Sequence, residues 1–238
     1  MGITAPHGVS RLIGGNRAAY AGDRLVLPGA APAGGGQRLI VIDDRGGFED
    51  VALAWGSATV VDAGAGRVVM ANPMSKEQGR GLYRVGLDGS EPTILAAPAA
   101  FDVAGGGELV AATLAEPDGI RITVVEIKGG ARRWSVPVSA RWLAAAGELV
   151  ITIEDGRPVG RRLGDGAVVW TGELLDGEVS NVSCADGVIS IGHGRIRTLI
   201  DLADGARIGT VPSKVGPAGA HGDALYVAGN GAVRALRR

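Results

Sequence analysis

The stretch AGELVITI, residues 146–153, decides the fold. A small residue and a glycine lead into a run of aliphatic and β-branched side chains, and Glu154-Asp155-Gly156-Arg157 ends it. A short run of this kind, bounded by turn residues, reads as a β-strand. The phrase recurs as AGDRLVL from Ala21, AGRVVM from Ala65, GGELVAA from Gly106, ADGVISI from Ala185 and HGDALYVA from His221. Its first aliphatic residues are Leu25, Val68, Leu109, Leu149, Val188 and Leu225, spaced by 43, 41, 40, 39 and 37 residues. A period of about 40 residues is the length of one four-stranded blade of a β-propeller.

Helices are excluded by the same punctuation. The longest stretch without Gly or Pro is the ten residues Arg195 to Asp204. Gly costs about 1 kcal/mol and Pro about 3 kcal/mol inside a helix, so no helix of ordinary length survives here. Asp-Gly occurs seven times, at 88, 118, 155, 165, 176, 186 and 204, and Asn230-Gly231 adds a further turn. These pairs tolerate positive φ, which tight hairpins require. The 41 glycines among 238 residues carry no G-X-Y period and are assigned to turns.

The expected architecture is all-β: a six-bladed propeller of four-stranded antiparallel blades. The blades are placed at about 15–56, 57–98, 99–139, 140–177, 178–216 and 217–238 plus 8–14, making residues 1–238 one domain. Blade three sets the pattern, with strands at Phe101–Ala104, Glu108–Leu114, Ile120–Ile127 and Arg133–Val138. After Gly216 only three strand-like pieces follow, while Val9 to Ile13 has no partner nearby in the sequence. The N-terminal strand is therefore expected to complete the last blade and close the ring, which removes exposed sheet edges.

Gly130-Ala-Arg-Arg-Trp134 and Gly166-Ala-Val-Val-Trp170 share one spacing, and Leu199-Ile-Asp-Leu-Ala-Asp-Gly205 precedes the corresponding strand of blade five. These segments resemble the quinoprotein-like propeller repeat, in which an acidic turn and a glycine receive a docking tryptophan. Leu82 to Gly89, LYRVGLDG, is similar to Trp-Asp and TolB-type repeats. The resemblance implies the fold and leaves activity open. It implies that Trp134 and Trp170 wedge between blades, with Trp55 in a like role. Members that bind pyrroloquinoline quinone have larger rings, a vicinal cysteine pair and a calcium site. A single cysteine, Cys184, departs from that pattern, and no cofactor is expected.

Charge narrows the partner. The net charge is −1 and no basic stripe is present, which argues against nucleic acid. Arg157, Arg161 and Arg162 read as solvated strand and turn residues. No run of 18 apolar residues is present, so no membrane insertion is expected. No signal peptide is visible and a lone cysteine forms no intrachain disulfide, so the expected location is the cytoplasm.

No catalytic or metal-binding constellation stands out, and none is assigned. His7, His193 and His221 lack metal-ligand spacing with one another or with Cys184. Cys184 reads as a small buried hydrophobe. Asp62 and Asp102 fall on inner strands of adjacent blades, and Trp142 on another; the three are candidate channel-lining residues. Core packing is the alternative for Trp142, and hydrogen bonding to nearby turns for the aspartates. A hydrolase or lyase site there would need two carboxylates at a defined separation.

Propeller binding sites lie on loops held by the stacked blades. The loops between second and third strands are uneven. They are tight at Glu154–Arg157, Gly192–Gly194 and Gly229–Gly231, and long at Pro28–Gln37 and Asn72–Gly81. The candidate partner-binding residues on this face are Gln37, Asn72, Met74, Lys76, Glu77, Arg80, Arg157 and His193. The expected function is a non-enzymatic protein-interaction or sensor domain, with a small-molecule ligand left open.

Overall fold

Strands account for nearly all regular structure in the computed structural model. It describes residues 11–12, 19–21, 24–30, 37–43, 45–53, 59–62, 67–72, 81–87, 93–98, 100–106, 108–185, 187–212, 216–221, 224–229 and 232–237. The chain divides into two compact units, Met1–Ser135 and Val136–Arg238.

In the first unit, β1 (Arg11–Leu12), β2 (Ala19–Ala21), β3 (Arg24–Ala30), β4 (Gln37–Ile42) and β5 (Phe48–Leu53) form the first sheet. The second sheet is β6 (Thr59–Asp62), β7 (Arg67–Asn72), β8 (Gly81–Gly86) and β9 (Thr93–Ala96). The third is β10 (Ala100–Gly106), β11 (Leu109–Glu116), β12 (Gly119–Glu126) and β13 (Arg132–Pro137), whose last two residues fall past the end of the first unit. In the second unit, β14 (Ala144–Ala146), β15 (Leu149–Glu154), β16 (Arg157–Arg162) and β17 (Val168–Thr171) form the fourth sheet. The fifth is β18 (Val179–Ala185), β19 (Val188–His193), β20 (Ile196–Asp201) and β21 (Arg207–Pro212). The sixth is β22 (Gly216–His221), β23 (Ala224–Gly229) and β24 (Ala232–Arg237).

The N-terminal strand takes a different partner from the one expected. Arg11 pairs with Ala30 and Leu12 with Gly29, so β1 lies on β3 rather than on the last sheet. The reason is visible in the register. β2 covers only Arg24 to Val26 of the seven-residue β3, and β1 satisfies backbone groups further along the same edge. Among the described residues, the sixth sheet has three strands and β24 is its outer strand.

Alternation along the strands builds the core. Ile151 and Ile153 on β15 pack with Ile189 and Ile191 on β19 in one apolar cluster, joined by Trp170. In the first unit Leu82 and Leu95 pack with Val110, Leu114 and Ile127. The Asp155-Gly156 turn has φ of 47° and 74°, the mirror-image turn that fits twisted hairpins.

One hydrogen-bond pattern marks the turn between third and fourth strands in three sheets. In the third, Gly130 N–H donates to Glu126 O, Glu126 N–H to Ala131 O, and Ile127 N–H back to Glu108 O. In the fourth, Gly166, Arg162 and Leu163 donate to Arg162, Ala167 and Glu148. In the fifth, Gly205, Asp201 and Leu202 donate to Asp201, Ala206 and Gly187. Gly130, Gly166 and Gly205 have φ of 69°, 75° and 74°, which a side chain would strain.

Candidate functional site

In an antiparallel four-stranded sheet, the turn between strands two and three lies at the same end as the linker leading to the next sheet. In the second unit these segments are hydrogen-bonded together. Leu175 N–H, in the linker after β17, donates to Gly156 O at 2.9 Å, and Gly172 N–H donates to Pro158 O at 2.8 Å. Arg157 begins β16 on this end, is exposed, and donates from Nη1 to Gly172 O at 3.3 Å. In the linker before β14, Ser139 Oγ donates to Ile153 O at 3.0 Å and accepts from Gly156 N–H at 3.2 Å.

His193 differs from its expected place in an exposed turn. It is the last residue of β19, and Gly194 takes the positive φ of 54° instead. The strand pleat then turns the imidazole inward, where it is 3% exposed. Nδ1 lies 2.7 Å from Asp176 O and Nε2 2.7 Å from Thr198 Oγ1. A carbonyl only accepts, so Nδ1 carries the proton; in the neutral ring Nε2 accepts from the threonine hydroxyl. The ring thus links the linker after β17 to β20.

Beside it is a shallow notch of about 40 Å³ bordered by Leu174, Asp176, His193, Ile196, Thr198 and Arg207. Leu174 is 59% and Ile196 38% exposed. Arg207 and Glu173 form an exposed ion pair at 3.4 Å on its edge.

A second concavity of about 320 Å³ is lined by residues 136–139 with Glu154, Asp155 and Arg161. Here Arg161 Nε donates to Glu154 Oε1 at 2.7 Å and Nη2 to Oε2 at 2.6 Å. Arg161 Nη1 donates to Gly166 O at 2.8 Å, and Thr152 Oγ1 donates to Glu154 Oε1 at 2.6 Å. Burial pushes the Glu154 carboxyl up, but the Arg161 and Thr152 hydrogen bonds and the guanidinium charge hold it below its usual range. Arg161 is therefore a largely buried bidentate partner, correcting its reading as a solvated arginine: the arginine and glutamate side chains are 15% and 19% exposed. The register was the missed signal. Thr152, Glu154 and Arg161 share one face of the hairpin because Glu154 pairs with Arg157 and Val150 with Arg161.

The remaining candidates are scattered. Asp102 is buried on β10 beside a register shift, and its Oδ1 accepts from Val103 N–H at 3.0 Å. Trp142 precedes β14 rather than lying on it, packs against the core cluster and has the Arg141 guanidinium 4.8 Å above its ring. Cys184 is half-buried against the same cluster. For Asp62 at the end of β6, Gln37 at the start of β4 and Asn72 at the end of β7, the backbone alone is described. Met74, Lys76, Glu77, Arg80, Trp55 and His7 lie outside the described residues.

Trp170 and Arg84 each give a side-chain hydrogen bond from one sheet to the next. Trp170 on β17 is 7% exposed and donates from Nε1 to Leu202 O at 2.9 Å. A Cβ on Gly205 would stand 2.5 Å from the ring, so the glycine leaves the space that the ring uses. In the first unit Arg84 on β8 donates from Nη1 to Ile127 O at 3.1 Å and Lys128 O at 2.9 Å. Nothing in the sequence singled out Arg84 for this role.

No family model matches the chain, and no curated protein does. Similar solved structures are of β-propeller type. A chain of a nidogen/laminin complex is 11% identical, with a TM-score of 0.56 over 81% of this chain and 78% of its own. KlHsv2 with loop 6CD replaced by a Gly-Ser linker is 11% identical, with a TM-score of 0.62 over 93% and 76%. A chain of the mitotic checkpoint complex is 12% identical, with a TM-score of 0.60 over 90% and 69%. The chain is thus an all-β protein with a propeller-like fold, built from several four-stranded antiparallel sheets.

Proposed function

We propose that this chain is a six-bladed propeller serving as a non-enzymatic protein-interaction or sensor domain. Its partner binds the end bearing the turns between second and third strands. The observation carrying this reading is the pair Leu174 and Ile196, exposed on a notch whose surroundings are held by His193 and by linker-to-turn hydrogen bonds. Exposed aliphatics on a rigid frame are what a partner covers. Arg157 lies at the same end. Gln37, Asn72, Met74, Lys76, Glu77 and Arg80 are proposed as further partner-contacting residues on the sequence reading. Two of the similar solved chains come from protein complexes, which is compatible with such a role. The repeat is of the quinoprotein-like kind, a reading supported by Trp170 lying on Gly205.

The test is a pull-down from native lysate with three forms of the full chain: wild type, the double variant Leu174→Glu with Ile196→Glu, and a form with residues 74–80 replaced by Gly-Ser. A partner held by wild type and lost from either variant, with melting unchanged, supports the reading. Retention of every partner by both variants overturns the choice of face.

A further inference from the structure

The concavity beside Glu154 and Arg161 combines an apolar wall with charged residues. Its volume of about 320 Å³ leaves room for a long side chain. Val136 and Val138, both half-buried, line it with Pro137 between them. The charged lining residues are Glu154, Asp155 and Arg161. Hydrogen bonds pin the valine segment to the hairpin opposite. Ser139 N–H donates to Ile153 O at 2.8 Å and its Oγ to the same carbonyl at 3.0 Å, while Gly156 N–H donates to Ser139 Oγ at 3.2 Å. The pocket is therefore held open before anything enters it.

Its chemistry selects the occupant. Arg161 spends Nε and Nη2 on Glu154 and Nη1 on Gly166 O, so it holds no free fork for an anion. Two carboxylates stand against that one guanidinium in the lining, which favours a cation. The Asp155 carboxylate is exposed and makes no hydrogen bond or ion pair among the described residues. Glu154 Oε2 accepts from Arg161 Nη2 alone among the described residues, which leaves it capacity for a second donor. Because Arg161 already takes the bidentate edge of Glu154, an incoming guanidinium would find single acceptors only. An ammonium carries three donors on a point charge and suits separate acceptors. The methylenes of a lysine suit the valine wall, as its stem packs on apolar surface while its head stays polar.

We infer that this pocket takes a lysine side chain of the partner protein, its methylenes along Val136 and Val138 and its ammonium at Asp155 and Glu154. The inference rests on the proposed function for the choice of face and specifies the partner's chemistry. The pocket and the notch share one turn. Leu175 N–H donates to Gly156 O at 2.9 Å, and a Cβ on Gly156 would stand 3.1 Å from Leu174 Cδ1. The partner segment thus presents a lysine to the pocket and an apolar residue to the notch, with the Asp155-Gly156 turn between them.

The experiment follows the amide resonances of the full chain while an end-blocked peptide, Gly-Ser-Lys-Ser-Gly, is added. Peptides with norleucine or glutamate in place of the lysine are the controls. The lysine peptide should shift the amides of Val138, Ser139, Glu154, Asp155 and Gly156 saturably, and the controls should not. Asp155→Asn removes one charge and keeps a residue that accepts the positive φ of 47°, so the chain stays folded while lysine-peptide affinity falls by about two- to fivefold. The inference is overturned by the lack of a saturable shift at these amides, by equal shifts with either control, or by unchanged affinity in the folded Asp155→Asn chain. The titration needs no natural partner, so its failure is separate from that of the pull-down. A partner lost from the Leu174, Ile196 double variant without lysine-selective shifts overturns the pocket alone; lysine-selective shifts with every partner retained overturn the choice of face.

Discussion

The junction between the fourth and fifth sheets and that between the second and third perform one task with unlike side chains. In the former, Trp170 covers Gly205 and gives its indole N–H to Leu202 O. In the latter, Arg84 gives one guanidinium nitrogen to Ile127 O and Lys128 O, and another to Thr93 Oγ1 at 3.3 Å. Both satisfy a carbonyl at the same point of the repeated turn, since Ile127 and Leu202 each follow the residue that accepts from the turn glycine. The ring also fills volume, whereas the guanidinium mainly donates. The repeat therefore conserves a hydrogen-bonding need, and the means of meeting it varies from junction to junction.

That difference is open to direct attack. Trp170→Ala removes both the donor and the filler, and should cost about 3–5 kcal/mol in chemical unfolding. Trp170→Phe keeps most of the filler and should lose nearer 1 kcal/mol. Gly205→Ala strains a positive φ and strikes the ring, so its cost should shrink in the Trp170→Ala background; strict additivity would separate the two residues. Arg84→Ala is the lesser insult, about 1–3 kcal/mol, because a donor to two carbonyls is lost without a large cavity. An Arg84→Ala loss as large as that of Trp170→Ala would mean that the guanidinium carries packing as well.

Glu154 adds a pH test in the second unit. Its carboxyl is held below the usual range in the folded state, so its stabilisation is complete above the unfolded glutamate value of about 4.3 and disappears as pH falls through the lower folded value. Glu154→Gln should lower stability by about 1–2 kcal/mol at neutral pH. The gap between wild type and variant should close on acidification through that window; a gap independent of pH would remove the ion pair as its cause. The smallest effect is expected for Gly209→Ala: its Cβ would meet nothing within 4 Å, so the change should stay within about 1 kcal/mol.

What was legible in the sequence was local. The aliphatic runs, the Asp-Gly turns and the Gly-x-x-x-Trp spacing depend on neighbours within a hairpin, and β15, β16 and β17 fall where those cues place them. Arg84 reaches 43 residues along the chain, and only the assembled sheets bring Ile127 O within its length. The tight turn expected at Gly192–Gly194 begins later, with the positive φ at Gly194, so His193 stays in the strand, and one residue of register reverses a side chain's face. The N-terminal strand was misassigned because its rival site, the uncovered half of β3, depends on how short β2 is.

Both reaching side chains point forward along the chain, from an earlier sheet to a turn made later. During synthesis, Arg84 waits for a segment 43 residues downstream and Trp170 for one 32 residues downstream. At about 5–20 residues per second this is a delay of roughly two to nine seconds for Arg84 and roughly two to six seconds for Trp170. A nascent sheet therefore leaves the ribosome with its fastener unengaged, an indole or a guanidinium waiting for a carbonyl not yet translated. Slow codons within one such interval would lengthen the time that Trp170 remains open to chaperones or to a neighbouring nascent chain.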